Sequence, residues 1–306
     1  MRRPAGVAGS VLALVAVLAG TSTVGAATAR CVGAAARDPR HPCTNLSRTV
    51  SPKKGDVGLI PATLDCKRTP QRPRTVCVFG ASPRRPKATV ALVGDSHALH
   101  WRAAIDVVAK ARRWRGYSIT TAACPFSAVR LAPGFRELCD PWYAQARTWF
   151  ADHPEVSTVF VSQKSDTPVS AVAGKTEAQV RAAGLRRAWS RLPGTVKRVV
   201  VLRDVPDPRD DTFACIDQAL ATGTPRLGVA CPTPRAVALR PDAAIAAARS
   251  LASRRYRAID LSSLFCTVRM CYPVIGGVQV YSDVLGHITA AYMRTVAPYL
   301  LRRLGG

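Results

Sequence analysis

Val90-Ala91-Leu92-Val93-Gly94-Asp95-Ser96-His97-Ala98 decides the fold. Val90 to Val93 is an unbroken apolar run rich in β-branched residues, the composition of a parallel strand buried on both faces. Gly94 permits a sharp exit, and Asp95 or Ser96 is suited to cap the helix that follows. In that helix Trp101, Ile105, Val108 and Ala109 share one face, and Arg102, Asp106, Lys110 and Arg113 share another, before Gly116 closes it. The turn thus sets the Ser96 hydroxyl at the carboxyl end of a strand and the amino end of a helix. Open α/β sheets bind ligands at such strand ends, and free helix N–H groups can hold an oxyanion. At this point Ser96 has two readings, helix cap or nucleophile.

A nucleophilic serine needs a base, and a third group to orient that base. Val280-Tyr281-Ser282-Asp283-Val284-Leu285-Gly286-His287-Ile288-Thr289 supplies both, just ahead of the last helical stretch. The order along the chain is Ser96, Asp283, His287.

Gly94-Asp95-Ser96-His97-Ala98 resembles the first block of the SGNH (GDSL-like) hydrolases, and Asp283…His287 resembles their last. More narrowly, the chain resembles the extracytoplasmic SGNH domain often fused behind a membrane acyltransferase-3 domain in bacteria. Cys31-Val32-Gly33-Ala34-Ala35, Ala123-Cys124-Pro125, Arg203-Asp204-Val205-Pro206 and Val274 to Tyr281 carry that narrower match. The resemblance implies a three-layer, flavodoxin-like α/β fold with a mainly parallel five-stranded sheet. It implies Ser96 as nucleophile, His287 as general base and Asp283 as the acid that orients it, with the Ser96 N–H in the oxyanion hole.

Two family features differ here. The usual acid-x-x-His spacing is one residue longer, and Ser162-Gln163-Lys164-Ser165 stands in place of the Gly-x-Asn-Asp block that often donates to the oxyanion. A backbone N–H at Cys124 and the side-chain amide of Gln163 are the candidate replacements. Each also has a plainer reading, Cys124 as a staple of its loop and Gln163 as a solvated loop residue. His97 belongs to the first block but stands outside the triad. Asp204 is either an alternative acid or a partner of the next turn.

The chain opens on a short basic start, an apolar stretch from Val7 to Leu18 and the small-residue site Ala27-Thr28-Ala29. Residues 1–29 therefore read as a secretory signal peptide, with a retained anchor as the other reading. No later apolar run approaches bilayer length, so the mature chain is expected to be soluble and extracytoplasmic, without a membrane acyltransferase half. All ten cysteines follow the signal, and an even count in an exported chain suggests disulfides. Neighbour pairing gives Cys31–Cys43, Cys66–Cys77, Cys124–Cys139, Cys215–Cys231 and Cys266–Cys271. With no tight Cys-x-x-Cys pair and few histidines, no metal site or cofactor is expected.

The formal charge is +25. Such a chain is drawn to anionic surfaces, and envelope polymers or lipid headgroups suit an exported protein better than nucleic acid, for which no motif is present. Arginines spread over solvated faces explain the same number.

Residues 30–87, rich in Pro, Arg and Lys, read as an irregular disulfide-pinned lead, and residues 88–306 as the SGNH-like domain. Strands at 117–123, 158–162, 199–202 and 257–261 follow the first. Helices open at Asp140-Pro141, at the capping box Thr176-Glu177-Ala178-Gln179, at Asp242 and at Thr289. Residues 207–240 show no clear periodicity. The expected function is that of a secreted esterase or O-acyltransferase working on short acyl groups, acetyl foremost, of envelope carbohydrate. A separately encoded membrane acyltransferase is a candidate partner. A non-catalytic glycan-binding domain on the same fold is the alternative.

Overall fold

The computed structural model describes residues 31–305, apart from 46, 54, 57, 59–65, 69–74, 83 and 252. The expected signal peptide lies outside the described residues. Among the described residues the strands are β1 (Cys66–Arg68), β2 (Thr75–Gly80), β3 (Ala88–Gly94), β4 (Trp114–Thr120), β5 (Val156–Ser162), β6 (Arg198–Leu202), β7 (Thr233–Pro234), β8 (Tyr256–Ile259), β9 (Met270–Cys271), β10 (Val274–Ile275) and β11 (Val278–Gln279). The helices are α1 (Ser96–Arg112), α2 (Phe135–Asp152), α3 (Glu177–Ser190), α4 (Thr212–Ala221), α5 (Arg235–Ala238), α6 (Ala243–Ser250) and α7 (Ala290–Gly305).

The main sheet runs β1-β2-β4-β3-β5-β6-β8. Its five strands from β4 to β8 are parallel, in the flavodoxin-like order. The expectation of five strands is corrected to seven, because β1 and β2 add an antiparallel edge. The source of the difference is Thr75-Val76-Cys77-Val78-Phe79. Cys77 and Phe79 are buried while Val78 is 46% exposed, the alternation of a strand packed on one face. Prolines and arginines on either side obscure so short a signal.

Strand β3 is buried on both faces, as its composition requires. Val90 and Leu92 pack with Trp101, Ile105 and Val108 of α1 and Met293, Val296 and Leu300 of α7. Ala91 and Val93 face the other way, toward Trp149 and Phe150 of α2, Leu185 and Trp189 of α3 and Ile245 of α6. The result is three layers. Helix α1 ends earlier than expected, with Arg113 left-handed at φ 57°. Gly116 instead lies in β4, opposite Phe79 of β2. A Cβ there would come within 2.2 Å of the Phe79 ring, so only glycine lets the ring lie flat on the strand.

Helix α2 begins before Asp140-Pro141, which lie inside it. The stretch without periodicity contains α4, fastened to the following loop by Cys215–Cys231. Disulfides also join Cys31 to Cys43, Cys124 to Cys139 and Cys266 to Cys271. Cys66 sits opposite Cys77 in the β1–β2 register. Its side chain lies outside the described set. The N-terminal lead lies against α7 and the β10–β11 ribbon, with Gly33 N–H donating to Gly276 O at 3.1 Å and Ala34 N–H to Thr295 Oγ1 at 2.9 Å. No helix among the described residues is long and apolar enough to cross a membrane.

Candidate active site

Strand β3 delivers Ser96 through a turn that only glycine can make. Gly94 has φ +146°, and a Cβ on it would stand 1.9 Å from the Ser162 carbonyl oxygen of β5. The carboxyl ends of β3 and β5 are therefore in direct backbone contact. Asp95, 1% exposed, caps α1: its carboxylate accepts from His97 N–H at 2.8 Å and from Lys164 N–H at 2.9 Å. Burial, together with neighbouring Asp204, pushes its carboxyl above the usual range despite those donors. Capping thus falls to Asp95, which leaves the Ser96 hydroxyl without that duty. The Ser96 side chain is only partly buried and opens the first turn of α1.

The acid and base lie on a hairpin-like loop between β11 and α7. Tyr281 pairs with Ile288, Ser282 N–H donates to His287 O at 2.8 Å, and Thr289 N–H donates to Val280 O at 2.7 Å. Inside that closure Asp283 folds back on its own turn, accepting from Leu285 N–H at 2.9 Å and His287 N–H at 3.3 Å. Its other oxygen reaches His287 Nδ1 at 2.6 Å. The extra residue in the acid–base spacing is absorbed at Gly286, φ +90°. Burial works against the Asp283 charge, but the hydrogen bond and charge of His287 hold its carboxyl below the usual value. With Nδ1 committed to Asp283, Nε2 is the nitrogen left for proton transfer.

The β3 turn and the acid–base loop pack together. His97 Nε2 lies 3.3 Å from Leu285 O, and the His97 and His287 rings are 5.4 Å apart, edge to face. Ile288 N–H donates to the buried His100 at 3.4 Å. Among the described residues no hydrogen bond joins Ser96 to His287. Asp204 at the exit of β6 sits on His97, 2.7 Å from Nδ1, and not on His287. Sequence reasoning left this His97–Asp204 pair unassigned. The available signal was a carboxylate ending an apolar parallel strand, Val199 to Leu202, where α/β sheets concentrate their polar chemistry.

Of the candidate oxyanion donors, neither the Ser96 N–H nor the Cys124 N–H donates to another described residue. Cys124 is fully buried and disulfide-bonded to Cys139. Just before it Ala123 adopts φ +60°, a left-handed conformation a glycine would take freely. Gln163 is 7% exposed, so it is not a solvated loop residue, and its Oε1 has no hydrogen-bond partner among the described residues. It lines a cleft partly open to solvent, with Pro125, Leu131, Lys164, Arg181 and Asp242. None of Ser96, Asp283 and His287 is among the described lining residues. No group of three or more potential metal ligands forms among the described residues.

Residues 65–302 match the family model described as "SGNH domain (fused to AT3 domains)". The chain belongs to that family. No curated protein matches the chain. Among solved structures it is similar to the periplasmic domain of a lipopolysaccharide acetyltransferase from Salmonella ser. Paratyphi A. That likeness has TM-score 0.54 and 12% identity, over 72% of this chain and 85% of the other. At this identity the likeness speaks to the fold. Membership of the family supports acyl-transfer or esterase chemistry in coarse terms. The four disulfides among the described residues fit an extracytoplasmic domain.

Proposed function

We propose that this SGNH domain is an extracytoplasmic serine esterase or O-acyltransferase acting on short acyl groups of envelope carbohydrate. The observation that carries the reading is the formed Asp283–His287 pair, 2.6 Å long, on a loop packed against the turn that presents Ser96. Ser96 Oγ attacks the ester carbonyl carbon while its proton passes to His287 Nε2. The alcohol leaves with that proton, and the acyl group stays on Ser96. Water or a sugar hydroxyl then attacks the acyl-serine and gives its proton to His287, which returns it to Ser96. Water gives deacylation, and a sugar gives transfer. Asp283 fixes the tautomer and stabilises the imidazolium. The N–H groups of Ser96 and Cys124 are the oxyanion donors, with the Gln163 amide a third candidate.

The absence of a Ser96–His287 hydrogen bond favours the second reading, a binding domain that no longer reacts. Catalytic hydrogen bonds are often long before substrate arrives and tighten in the complex, so the acyl-transfer reading stands first. The family's fused architecture supports a membrane acyltransferase as the partner that supplies acyl groups, and the net charge of +25 supports contact with anionic envelope polymers. Turnover of 4-nitrophenyl acetate by the disulfide-intact protein tests the reading. Wild type is expected to turn over, and Ser96→Ala and His287→Ala to lose at least about 10³-fold. Wild type no faster than Ser96→Ala would leave the binding reading in its place.

A further inference from the structure

His97 is 1% exposed and touches two distant segments of the chain. Nδ1 lies 2.7 Å from the Asp204 carboxylate at the exit of β6. Nε2 lies 3.3 Å from the Leu285 carbonyl, in the middle of the acid–base loop. Next to that carbonyl, a Cβ on Gly286 would meet His97 Cε1 at 3.4 Å, so the loop backbone lies directly on the ring. Asp204 is itself fixed, accepting from Ser165 N–H at 2.8 Å and Val205 N–H at 2.9 Å.

A carbonyl oxygen only accepts hydrogen bonds, and so does an ionised carboxylate. A ring bonded to both must donate from both nitrogens. Neutral histidine has one N–H, so this geometry requires the imidazolium. We propose that His97 is a doubly protonated clamp that holds the Asp283–His287 loop against the strand ends, a positioning residue for the base. This rests on the acyl-transfer reading above.

The groups facing the clamp set its charge. Burial opposes protonation, but Asp204 and then Asp95 outweigh it and raise His97 to about 9, with Lys164 opposing. Asp207 lies across Gly286, and His100 and His287 lie 5.3 and 5.4 Å from the His97 ring. Asp242 stands behind Asp204, accepting its N–H at 2.9 Å. Lys164 Nζ donates to the same Leu285 carbonyl at 3.3 Å, so the loop has a second, more exposed anchor. When His97 loses a proton, the Asp204 bond keeps Nδ1–H. Nε2 then turns a lone pair toward the Leu285 oxygen. The contact changes from attractive to repulsive, and the base-bearing loop loses its buried anchor.

The test joins ring NMR to kinetics. In the ¹⁵N-histidine-labelled protein, both His97 nitrogens are expected to show imidazolium shifts at neutral pH and to titrate near pH 9. Asp204→Asn keeps the shape and removes the charge, and it should move that titration down toward 6.5. The alkaline fall in kcat should move with it. In His97→Gln, kcat is expected to drop about 10²-fold with KM changed less than about twofold, because the substrate still binds but the base is misplaced. His97→Gln should also shift the His287 ring signals. A neutral His97 at pH 7 overturns the proposal, as does a folded His97→Gln with wild-type kcat. If wild type hydrolyses no ester, the acyl-transfer reading fails alone, and the ring NMR still decides the clamp. If His97→Gln does not fold, Asp204→Asn and the wild-type titration carry the decision.

Discussion

Asp283 reaches His287 across one residue more than the family's usual spacing, and local backbone chemistry makes that possible. An aspartate readily accepts from the N–H two residues on, and Asp283 does so with Leu285. Gly286 then takes φ +90°, which returns the chain so that His287 Nδ1 meets the carboxylate at 2.6 Å. Asp283→Asn is expected to leave the fold intact and to lower kcat by about 10² to 10⁴-fold, because an amide can donate to Nδ1 and favour the wrong tautomer. Steady-state kinetics on a short-chain ester checks this, and a loss below tenfold would mean that another group orients His287. The Asp283–His287 contact was legible in the sequence because both residues sit in one short block whose chemistry is local. The His97–Asp204 pair was not, since its partners are 107 residues apart and only the sheet brings them together.

At the scale of elements, composition identified most of the parallel strands, because a strand buried on both faces must be apolar throughout. It failed at β2, where burial on one face leaves only alternate positions informative. It failed also at Gly116, which looked like a helix stop. The helix needs no glycine there because Arg113 adopts the left-handed turn itself, and the glycine serves the Phe79 ring instead. Gly116→Ala is expected to cost about 2–3 kcal/mol, since the methyl must displace a buried ring in a packed edge. Denaturant unfolding of Gly116→Ala, Phe79→Ala and the double variant checks it. A positive coupling is expected, with the double variant less destabilised than the sum of the singles. Strict additivity would mean that the two residues do not meet.

At the scale of the whole molecule, one cluster of buried charge lies at an end of the sheet. Asp95 and Asp204 lie at the carboxyl ends of β3 and β6, Asp242 stands half-buried behind Asp204, and His97 is the buried cation among them. A base whose pKa rises on folding stabilises the fold most when protonated in both states. The His97 contribution is therefore complete below its unfolded pKa of 6.5 and is lost as pH rises through about 9. Urea midpoints between pH 6 and 10 should fall more steeply in wild type than in His97→Gln. Parallel profiles would show that His97 gains no proton affinity on folding. The layered α/β architecture was readable from the alternation of strands and helices, whereas this charge cluster was not, because each carboxylate alone looks like a helix cap or a turn residue.

In the proposed reaction Ser96 carries the acyl group between donor and acceptor. Rapid acid quench of the disulfide-intact protein with 4-nitrophenyl acetate, followed by peptide mapping, tests it most directly. An acetyl group is expected on the peptide containing Ser96, formed within the first turnover, absent in Ser96→Ala and accumulating in no other peptide. An acetylated lysine or histidine with an unmodified Ser96, at a rate that Ser96→Ala does not change, would contradict it.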